Sequence, residues 1–331
     1  MVSSSTARRN IRRIGKALLG LVVILLALAV AGAIYQAIAT ELAERAYPPP
    51  GEMVDVKGTS LHINCVGQGS PTVVLDAGAG GMSAQWVRVQ HQVAGTTRVC
   101  AYDRAGMGWS EGGPEPRDAD RVAGELHALL DGAGVEGPYV LAGHSLGGLY
   151  AQAYAARYPG EVAGVALVES SHPEQFERLP EARESYEQMG RLFAVAPWLA
   201  RIGVVRLFNL SPVPPELPER QRAQLDALSP STRQISATAD EFSAIPRTTD
   251  QARGLRGLGG KPLSVVSAGT QSSAWLGLQD ELAALSSNSR HRVVDGATHE
   301  SVLYDREDAQ ITSAAIVGVV EAARDDQAQA R

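Results

Sequence analysis

The chain has 331 residues, of which 44% are hydrophobic and 20% are charged, so it is long enough for one large domain or two small ones. Its formal net charge of −6 excludes the basic surface that nucleic-acid binding requires, and no nucleic-acid partner is expected. The charge is unevenly spread, because residues 1–40 contain five basic residues and no acidic residue.

The N-terminal segment has the composition of a membrane anchor. An uncharged run over residues 17–40 follows a basic segment that contains Arg8, Arg9, Arg12, Arg13 and Lys16. As a helix, this run would be about 36 Å long, which is enough to cross a bilayer. Because a cationic flank stays in the cytoplasm, residues 1–16 are predicted to be cytoplasmic and the rest of the chain to lie outside.

A cleaved signal peptide is the alternative interpretation of the same segment. Both Ala31–Ala33 and Ala37–Ala39 fit the small-residue pattern of a cleavage site. The apolar run is longer than a usual signal-peptide core, so an uncleaved single-pass anchor is favoured over secretion after cleavage. In either case the globular part of the protein is expected beyond the membrane.

Residues 41–52 are predicted to form a stiff spacer, because they include Pro48–Pro50. Strand-like apolar runs then alternate with helical ones, which favours a mostly parallel sheet with helices on both faces. The predicted strands are Met53–Val56, Leu61–Val66, Thr72–Asp76, Arg98–Tyr102, Tyr139–Ala142, Val165–Val168, Leu263–Ser267 and Arg292–Val294. The few residues around Gly58 that join the first two strands indicate an antiparallel start. The predicted domain covers residues 53–325, its last helix spans about 308–323, and residues 326–331 form a polar tail.

One long insertion interrupts the alternation of strands and helices. Residues 172–260 contain no convincing strand, many prolines and all four phenylalanines of the chain. A long segment of this kind inside a compact domain is usually functional, and its apolar content argues against disorder. It is therefore predicted to be a helical cap over the sheet.

The residues Gly143–Gly147 read G-x-S-x-G between a predicted strand and a helical run. A serine in this setting is held out of the backbone on a sharp, strained turn, where it can act as a nucleophile. The glycines are needed because side chains two positions away on either side would collide with the crossing strand and helix. Ser145 is thus the candidate nucleophile.

A serine hydroxyl becomes a good nucleophile only when an imidazole takes its proton. Of the seven histidines, His299 follows the last predicted strand and gives the chain order serine, acid, histidine. His144 adjoins the serine, but its side chain should point away from the serine hydroxyl. Structural or solvated roles are expected for His144 and for the other histidines.

The acid that would orient His299 is less obvious. The loop after the penultimate strand, residues 267–273, has no carboxylate, and Asp280 is expected on the solvent side of the following helix. Glu169 ends the strand after the nucleophile helix, on the rim of the sheet that carries the serine. It is favoured over all other carboxylates, and the alternative is that it anchors the cap loop.

Two backbone N–H groups are needed to hold the oxyanion. One is expected from Leu146, which follows the serine, and the other from the glycine-rich loop at 76–81, with Ala79 preferred and Gly78 as second choice. A nearby segment, Asp103–Ser110, has no metal-ligand spacing and is predicted to be a tight turn in which Asp103 and Arg104 bind neighbouring loops. No metal site or cofactor is expected.

Taken together, the glycine-rich loop, the 103–110 turn, the serine turn and His299 resemble the α/β-hydrolase superfamily over about residues 53–323. The resemblance implies a sheet order of 1-2-4-3-5-6-7-8 with strand 2 antiparallel, and a cap between strands 6 and 7. Haloalkane dehalogenases with caps and pancreatic lipases are similar in carrying the acid after strand 6, which supports Glu169. The serine nucleophile, in place of an aspartate, argues against dehalogenase or epoxide hydrolase chemistry. One departure is that Ala77–Gly78 replaces the family's usual His-Gly.

Composition alone does not decide whether the two cysteines, Cys65 and Cys100, form a disulfide or are two free thiols. The strand order implied by the resemblance sets Cys65, late in strand 2, opposite Cys100, early in strand 4. For a domain outside the cytoplasm, a disulfide between them is therefore favoured.

The sequence predicts a serine hydrolase whose substrate is a small ester with an apolar portion. Aminopeptidase-like, C–C bond hydrolase and cofactor-free haloperoxidase activities use the same triad and remain alternatives. A different class of function is a catalytically silent hydrolase fold that serves as a binding module. Such modules typically lose a member of the triad, whereas this chain retains both serine and histidine.

Overall fold

The computed structural model describes residues 3–211 and 213–329, and the side chains from residue 9 onward. It contains all eight strands predicted from the sequence. They are β1 (Glu52–Val56), β2 (Thr59–Val66), β3 (Thr72–Asp76), β4 (Val99–Tyr102), β5 (Tyr139–His144), β6 (Val162–Val168), β7 (Leu263–Ala268) and β8 (Ser289–Val294). The last strand begins three residues earlier than predicted. Its first residues alternate between half-buried and exposed, so the sequence there lacks the apolar run from which a strand is predicted.

The strands form one sheet in the order β1-β2-β4-β3-β5-β6-β7-β8. Strand β2 is antiparallel to both β1 and β4, while the remaining neighbours are parallel. The order and the antiparallel start expected from the sequence are confirmed. The carboxyl ends of the parallel strands meet at one edge of the sheet, where ligands bind in open α/β folds.

Helices cover both faces of the sheet. The α-helices of the described residues are α1 (Ser3–Ala46), α2 (Val87–Val93), α3 (Ala119–Gly132), α4 (Leu146–Arg157), α5 (Gln175–Arg178), α6 (Pro180–Arg201), α7 (Val204–Leu207), α8 (Glu219–Leu228), α9 (Thr232–Ala252), α10 (Ser273–Ala283), α11 (Ser301–Tyr304) and α12 (Arg306–Gln329). Helices α2 and α12 bury apolar side chains against one face, and α3, α4 and α10 against the other. The buried inner strands are therefore enclosed on both sides.

Helices α5–α9 lie between β6 and β7, in the position expected for the cap. Aromatic side chains hold three of these helices together. Phe176 of α5 packs on Tyr186 of α6, and Phe242 of α9 stacks on Tyr186 with 5.6 Å between ring centroids. Phe193 contacts Phe242 as well, whereas Phe208, the remaining phenylalanine, is 65% exposed.

The predicted spacer over residues 41–52 is wrong in its first half, because α1 continues to Ala46. Residues 41–46 are good helix formers, and the Arg45 guanidinium bonds the Glu41 carboxylate one turn earlier at 2.8 Å. Ala43 is buried in the core, which fixes this turn to the domain. Only residues 47–51 separate the helix from β1.

The last helix is longer than predicted, since α12 does not end at about residue 323 but continues to Gln329, into the polar tail. Alanine and glutamine in this stretch favour helix without needing a buried face. The Arg324 side chain donates to the carbonyl oxygens of Ser70 and Thr96, which holds the end of α12 to the domain.

Strands β2 and β4 pair in a register that sets Cys65 opposite Cys100. The structure joins the two cysteines in a disulfide across the antiparallel pair. It closes a loop of 35 residues, so it restricts the unfolded chain.

Candidate active site

Ser145 lies on the sharp turn between β5 and α4, in the left-handed region at φ 53° and ψ −121°. Its N–H donates to the Val168 carbonyl at 3.2 Å, which joins the turn to the end of β6. A Cβ atom on Gly143 would collide with the Gly147 backbone, and one on Gly147 with the Asp76 carbonyl. The glycines of the motif thus allow three backbones to meet at the strained serine.

Glu169 follows β6 directly and is completely buried. Its Oε2 atom lies 3.0 Å from Nδ1 of His299 and accepts the Gln271 side-chain N–H at 2.6 Å. Its Oε1 atom accepts the Ala268 N–H at 2.9 Å and the Trp275 indole N–H at 3.2 Å. Both oxygens of the carboxylate are therefore occupied by donors.

Burial opposes ionisation of Glu169, but hydrogen bonds from the His299 ring and the Ala268 N–H outweigh it and lower the pKa of Glu169. An ionised Glu169 accepts a hydrogen bond from the Nδ1–H group of His299, which leaves Nε2 as the free acceptor of the ring. The His299 side chain is 39% exposed, so this nitrogen is open to the rim of the sheet.

Asp280, the alternative acid, is not near His299. Its side chain is 71% exposed, as expected from the helical pattern, and it pairs with Nδ1 of His291 at 2.6 Å. Of the two acids weighed from the sequence, the structure brings only Glu169 to His299.

Ser145, Leu146 and Ala79 line one cavity of about 210 Å³. Leu146 is the first residue of α4, where a backbone N–H has no partner inside the helix. The carbonyl oxygen of Gly78, the second choice for an oxyanion donor, accepts a hydrogen bond from Nη2 of Arg104 at 2.7 Å. Within the described chain, no hydrogen bond joins the Ser145 hydroxyl to His299, and such bonds often tighten only when substrate binds.

The sequence model of the alpha/beta hydrolase fold matches residues 71–305, which is more than half of the chain. The chain belongs to the α/β-hydrolase superfamily. A loop variant of a haloalkane dehalogenase from Bradyrhizobium elkanii superposes with a TM-score of 0.67 at 18% identity, over 85% of this chain and 99% of the dehalogenase. At that identity, the likeness concerns the fold alone.

Two fungal relatives of this α/β-hydrolase match parts of its sequence. An uncharacterized protein of Schizosaccharomyces pombe is 30% identical over 63% of this chain and 39% of its own length. An uncharacterized vacuolar membrane protein of Saccharomyces cerevisiae is 32% identical over 36% of this chain and 21% of its own length. The chain spans less than half the length of these relatives.

In this α/β-hydrolase, Arg104 organises the loop that carries Ala79. The guanidinium is buried and donates to the carboxylate of Asp76 at 2.6 Å and to the carbonyl oxygen of Ala77 at 2.7 Å. It also binds both oxygens of Glu241, a residue of α9 in the cap. The turn expected at residues 103–110 is confirmed, but its link to the cap was not predicted, because the partner lies 137 residues away.

Burial raises the pKa of Asp76 to about 6, although Arg104 and the Tyr102 hydroxyl both favour its ionised form. Glu241 accepts the Gly80 N–H at 3.0 Å as well as the arginine. The loop that carries Ala79 is thus held by two contacts, one from Arg104 to Asp76 and one from Gly80 to Glu241 of the cap.

A buried histidine–carboxylate pair lies away from the serine. His62 Nδ1 is 2.8 Å from Asp103 Oδ2, with both side chains buried. The other nitrogen of His62 bonds the Pro50 carbonyl, and the Trp109 indole donates to the Tyr47 carbonyl at 2.7 Å. These contacts hold the short segment after α1 to the domain, which is a structural role.

His144 supports the loop that carries His299, which is more specific than the structural or solvated role expected from the sequence. Its Nε2 lies 2.9 Å from the carbonyl oxygen of His299 and donates to it. Burial, and then the neighbouring His299 ring, lower the pKa of His144 to about 3. A neutral imidazole therefore supports the loop that carries His299.

This lowered pKa predicts acid sensitivity. Between about pH 6.5 and pH 3 the unfolded chain binds a proton at His144 that the folded protein does not, so stability falls as the pH falls. His144→Gln keeps an N–H donor but removes the imidazole. From pH 7 to pH 4, we expect the free energy of unfolding to fall by about 3 kcal/mol more in the wild type than in this variant.

Chemical denaturation at a series of pH values measures this difference. His91→Gln, an exposed histidine of α2, controls for the loss of one imidazole and should follow the wild type. Equal pH dependence in the wild type and His144→Gln would contradict the assignment.

Proposed function

We propose that this α/β-hydrolase is a serine hydrolase that cleaves carboxylic esters with an apolar portion. The observation that carries the proposal is the buried, ionised Glu169, which holds His299 on the rim that carries Ser145. The fold family supports hydrolase chemistry, and the retained serine, histidine and acid favour an enzyme over a catalytically silent binding module.

In the proposed reaction, the Ser145 hydroxyl oxygen attacks the ester carbonyl carbon while Nε2 of His299 takes its proton. Glu169 holds the Nδ1 proton and stabilises the imidazolium. The N–H groups of Leu146 and Ala79 hold the negative oxygen of the tetrahedral intermediate. Collapse of the intermediate releases the alcohol, which takes the proton from His299.

The second half of the reaction releases the acid. Water gives a proton to His299 Nε2 and attacks the acyl-serine carbonyl. The new tetrahedral intermediate collapses, the carboxylic acid leaves, and the proton on His299 returns to the Ser145 oxygen. No group other than water is consumed with the ester.

The cavity supports an apolar acyl or alcohol portion. Its wall includes Leu149, Phe176, Phe242 and Ile245 around Ser145. None of the described residues that line it is acidic, so a substrate ammonium group would find no carboxylate there. This observation favours an ester over the amine-terminated substrate of an aminopeptidase-like enzyme.

The acidic residues at the start of the cap also argue against an aminopeptidase-like enzyme. Glu177 binds Arg253, and Glu174 lies 3.4 Å from Arg178. Both carboxylates are thus engaged with surface arginines. C–C bond hydrolysis and haloperoxidase chemistry gain no specific support from these contacts.

The proposed enzyme is anchored in a membrane through α1. Residues Arg9–Ala46 form a helix long and apolar enough to cross a bilayer, with a mean hydropathy of 2.9 in its most apolar window. The basic flank at residues 8–16 favours a cytoplasmic N-terminus and a catalytic domain outside. The relative described as a vacuolar membrane protein supports membrane association.

Substrate preference is tested with p-nitrophenyl esters of increasing acyl length beside amino-acid anilides. We expect kcat/KM to rise about fourfold per added methylene until the cavity is full, because each buried methylene contributes about 0.8 kcal/mol. Ser145→Ala should lose the activity. Faster turnover of anilides than of any ester would contradict the proposal, as would folded protein that hydrolyses no ester.

The acid is tested by Glu169→Gln, with Asp280→Asn as the matched control. The amide cannot stabilise the imidazolium in the same way, so kcat should fall by about 10³–10⁴-fold while the fold persists. Asp280→Asn should change kcat little. A large loss in Asp280→Asn with near-normal Glu169→Gln would refute the assignment, and thermal unfolding of each variant separates catalysis from stability.

A further inference from the structure

The cap carries an apolar surface that no described residue covers. Eight large apolar side chains between residues 189 and 210 are 36% to 67% exposed, and six of them form the surface considered below: Leu192, Val195, Trp198, Ile202, Leu207 and Phe208. We call these six residues the apolar cap surface. The first four are spaced three or four residues apart, so they share one side of α6 and its end. A contiguous exposed surface of this kind usually contacts a partner or a membrane.

The apolar cap surface adjoins α1. Gly32 of α1 packs on Ile202, with no room for a Cβ atom between their backbones, and a Cβ atom on Gly203 would lie 2.9 Å from the Gly32 carbonyl oxygen. Paired small residues allow helices to approach this closely in membranes. The side chain of Gln36 is buried between α1 and the cap, where it donates to the Pro230 carbonyl at 2.8 Å and accepts from Arg206 at 3.2 Å.

The position of this contact along α1 sets its depth. Gly32 lies eight residues before Thr40, the end of the uncharged run, which is about 12 Å at 1.5 Å per residue. If residues 17–40 cross the bilayer, Ile202 and Gly203 therefore lie below the membrane surface, within the leaflet on the side of the catalytic domain. The rest of the cap surface extends from this point.

The charged residues are unevenly distributed along this part of the cap. Residues 189–210 include Arg191, Arg201 and Arg206 and no acidic residue. The acidic residues of α6 are Glu181, Glu184 and Glu187, all in its first half. A segment that combines apolar and basic residues suits the boundary between acyl chains and anionic headgroups. Arg201 lies over the Trp198 ring at 4.7 Å, and tryptophan and arginine are both common at this boundary.

We propose that the apolar cap surface is embedded in the outer leaflet of the bilayer that α1 crosses. The inference rests on the proposed membrane anchoring of α1, and it adds a second membrane contact made by the cap itself. Helix α6 links this contact to the active site, because its first half contributes Ala182, Ser185 and Tyr186 to the cavity wall. Tyr186 and Trp198 are twelve residues apart, or about 18 Å along the helix. An ester in the leaflet beside Trp198 would therefore lie about 18 Å along α6 from the cavity wall.

The full-length chain in phosphatidylcholine nanodiscs tests this proposal. Tryptophan emission is compared between the wild type and Trp198→Phe, so that the difference isolates Trp198. Discs made with phosphatidylcholine brominated in the acyl chain place a quencher inside the leaflet, and iodide places one in the water. Because Trp198 is 67% exposed and conservatively replaced, the variant should fold normally.

We expect the Trp198 emission to lose most of its intensity in the brominated discs and to resist iodide. Quenching by iodide alone would overturn the proposal, and quenching by neither would overturn it in favour of a second protein copy on this surface. An alkaline wash of native membranes tests the anchoring of α1 separately from the membrane contact of the cap. A protein that stays in the washed membrane with an iodide-accessible Trp198 refutes the cap contact alone, whereas a protein that washes off refutes the anchor as well.

Discussion

The proposed active site depends on one backbone constraint, the positive φ of Ser145 where β5 passes into α4. A residue other than glycine adopts this conformation only when its surroundings over-determine it. Here the Ser145 N–H binds the end of β6, and its carbonyl oxygen accepts the N–H groups of Gly148 and Ser171. The turn thus joins the strand, the helix and the beginning of the cap, and it sets the serine on the rim between them.

Two buried charged groups arrange the remaining parts of the site around this turn. Glu169 collects donors from the loop after β7 and from His299, and Arg104 collects acceptors from the loop after β3 and from the cap. A buried charge is tolerated only when its partners are well placed, and removal of one partner leaves a costly unpaired charge. Each network therefore ties its loop firmly to the sheet. The Arg104 network extends to Glu241, so the position of the cap and the shape of the Ala79 loop depend on each other.

Much of this arrangement follows from local sequence patterns. The strands were predicted from short apolar runs, and the serine turn from glycines whose spacing reflects direct backbone contacts. Glu169 was favoured by its place at the end of a strand, since parallel strands end at the same rim. The parts that were wrong, the spacer over residues 41–46 and the end of the last helix, are polar helical extensions whose ends depend on contacts elsewhere in the fold, such as the burial of Ala43 and the bonds of Arg324.

Contacts between residues far apart in the sequence could not be predicted from local patterns. The pairing of Arg104 with Glu241, the support that His144 gives to the His299 loop, and the contact of Gly32 with Ile202 each join residues more than 130 positions apart. Nothing in the neighbourhood of either residue marks such a pair before the strands and the cap are assembled. The apolar content of the cap was evident from the sequence, but the exposure of apolar side chains on α6 was not, because composition does not say which side of a helix meets protein.

Labelling with a fluorophosphonate probe, followed by mass mapping of the modified peptide, tests whether Ser145 is the nucleophile. The probe reacts with a serine that is activated as a nucleophile, and it requires no knowledge of the natural substrate. We expect a single adduct on Ser145 in the wild-type protein, and no adduct in a folded Ser145→Ala variant. An adduct on another residue, or no labelling of well-folded wild-type protein, would contradict this expectation.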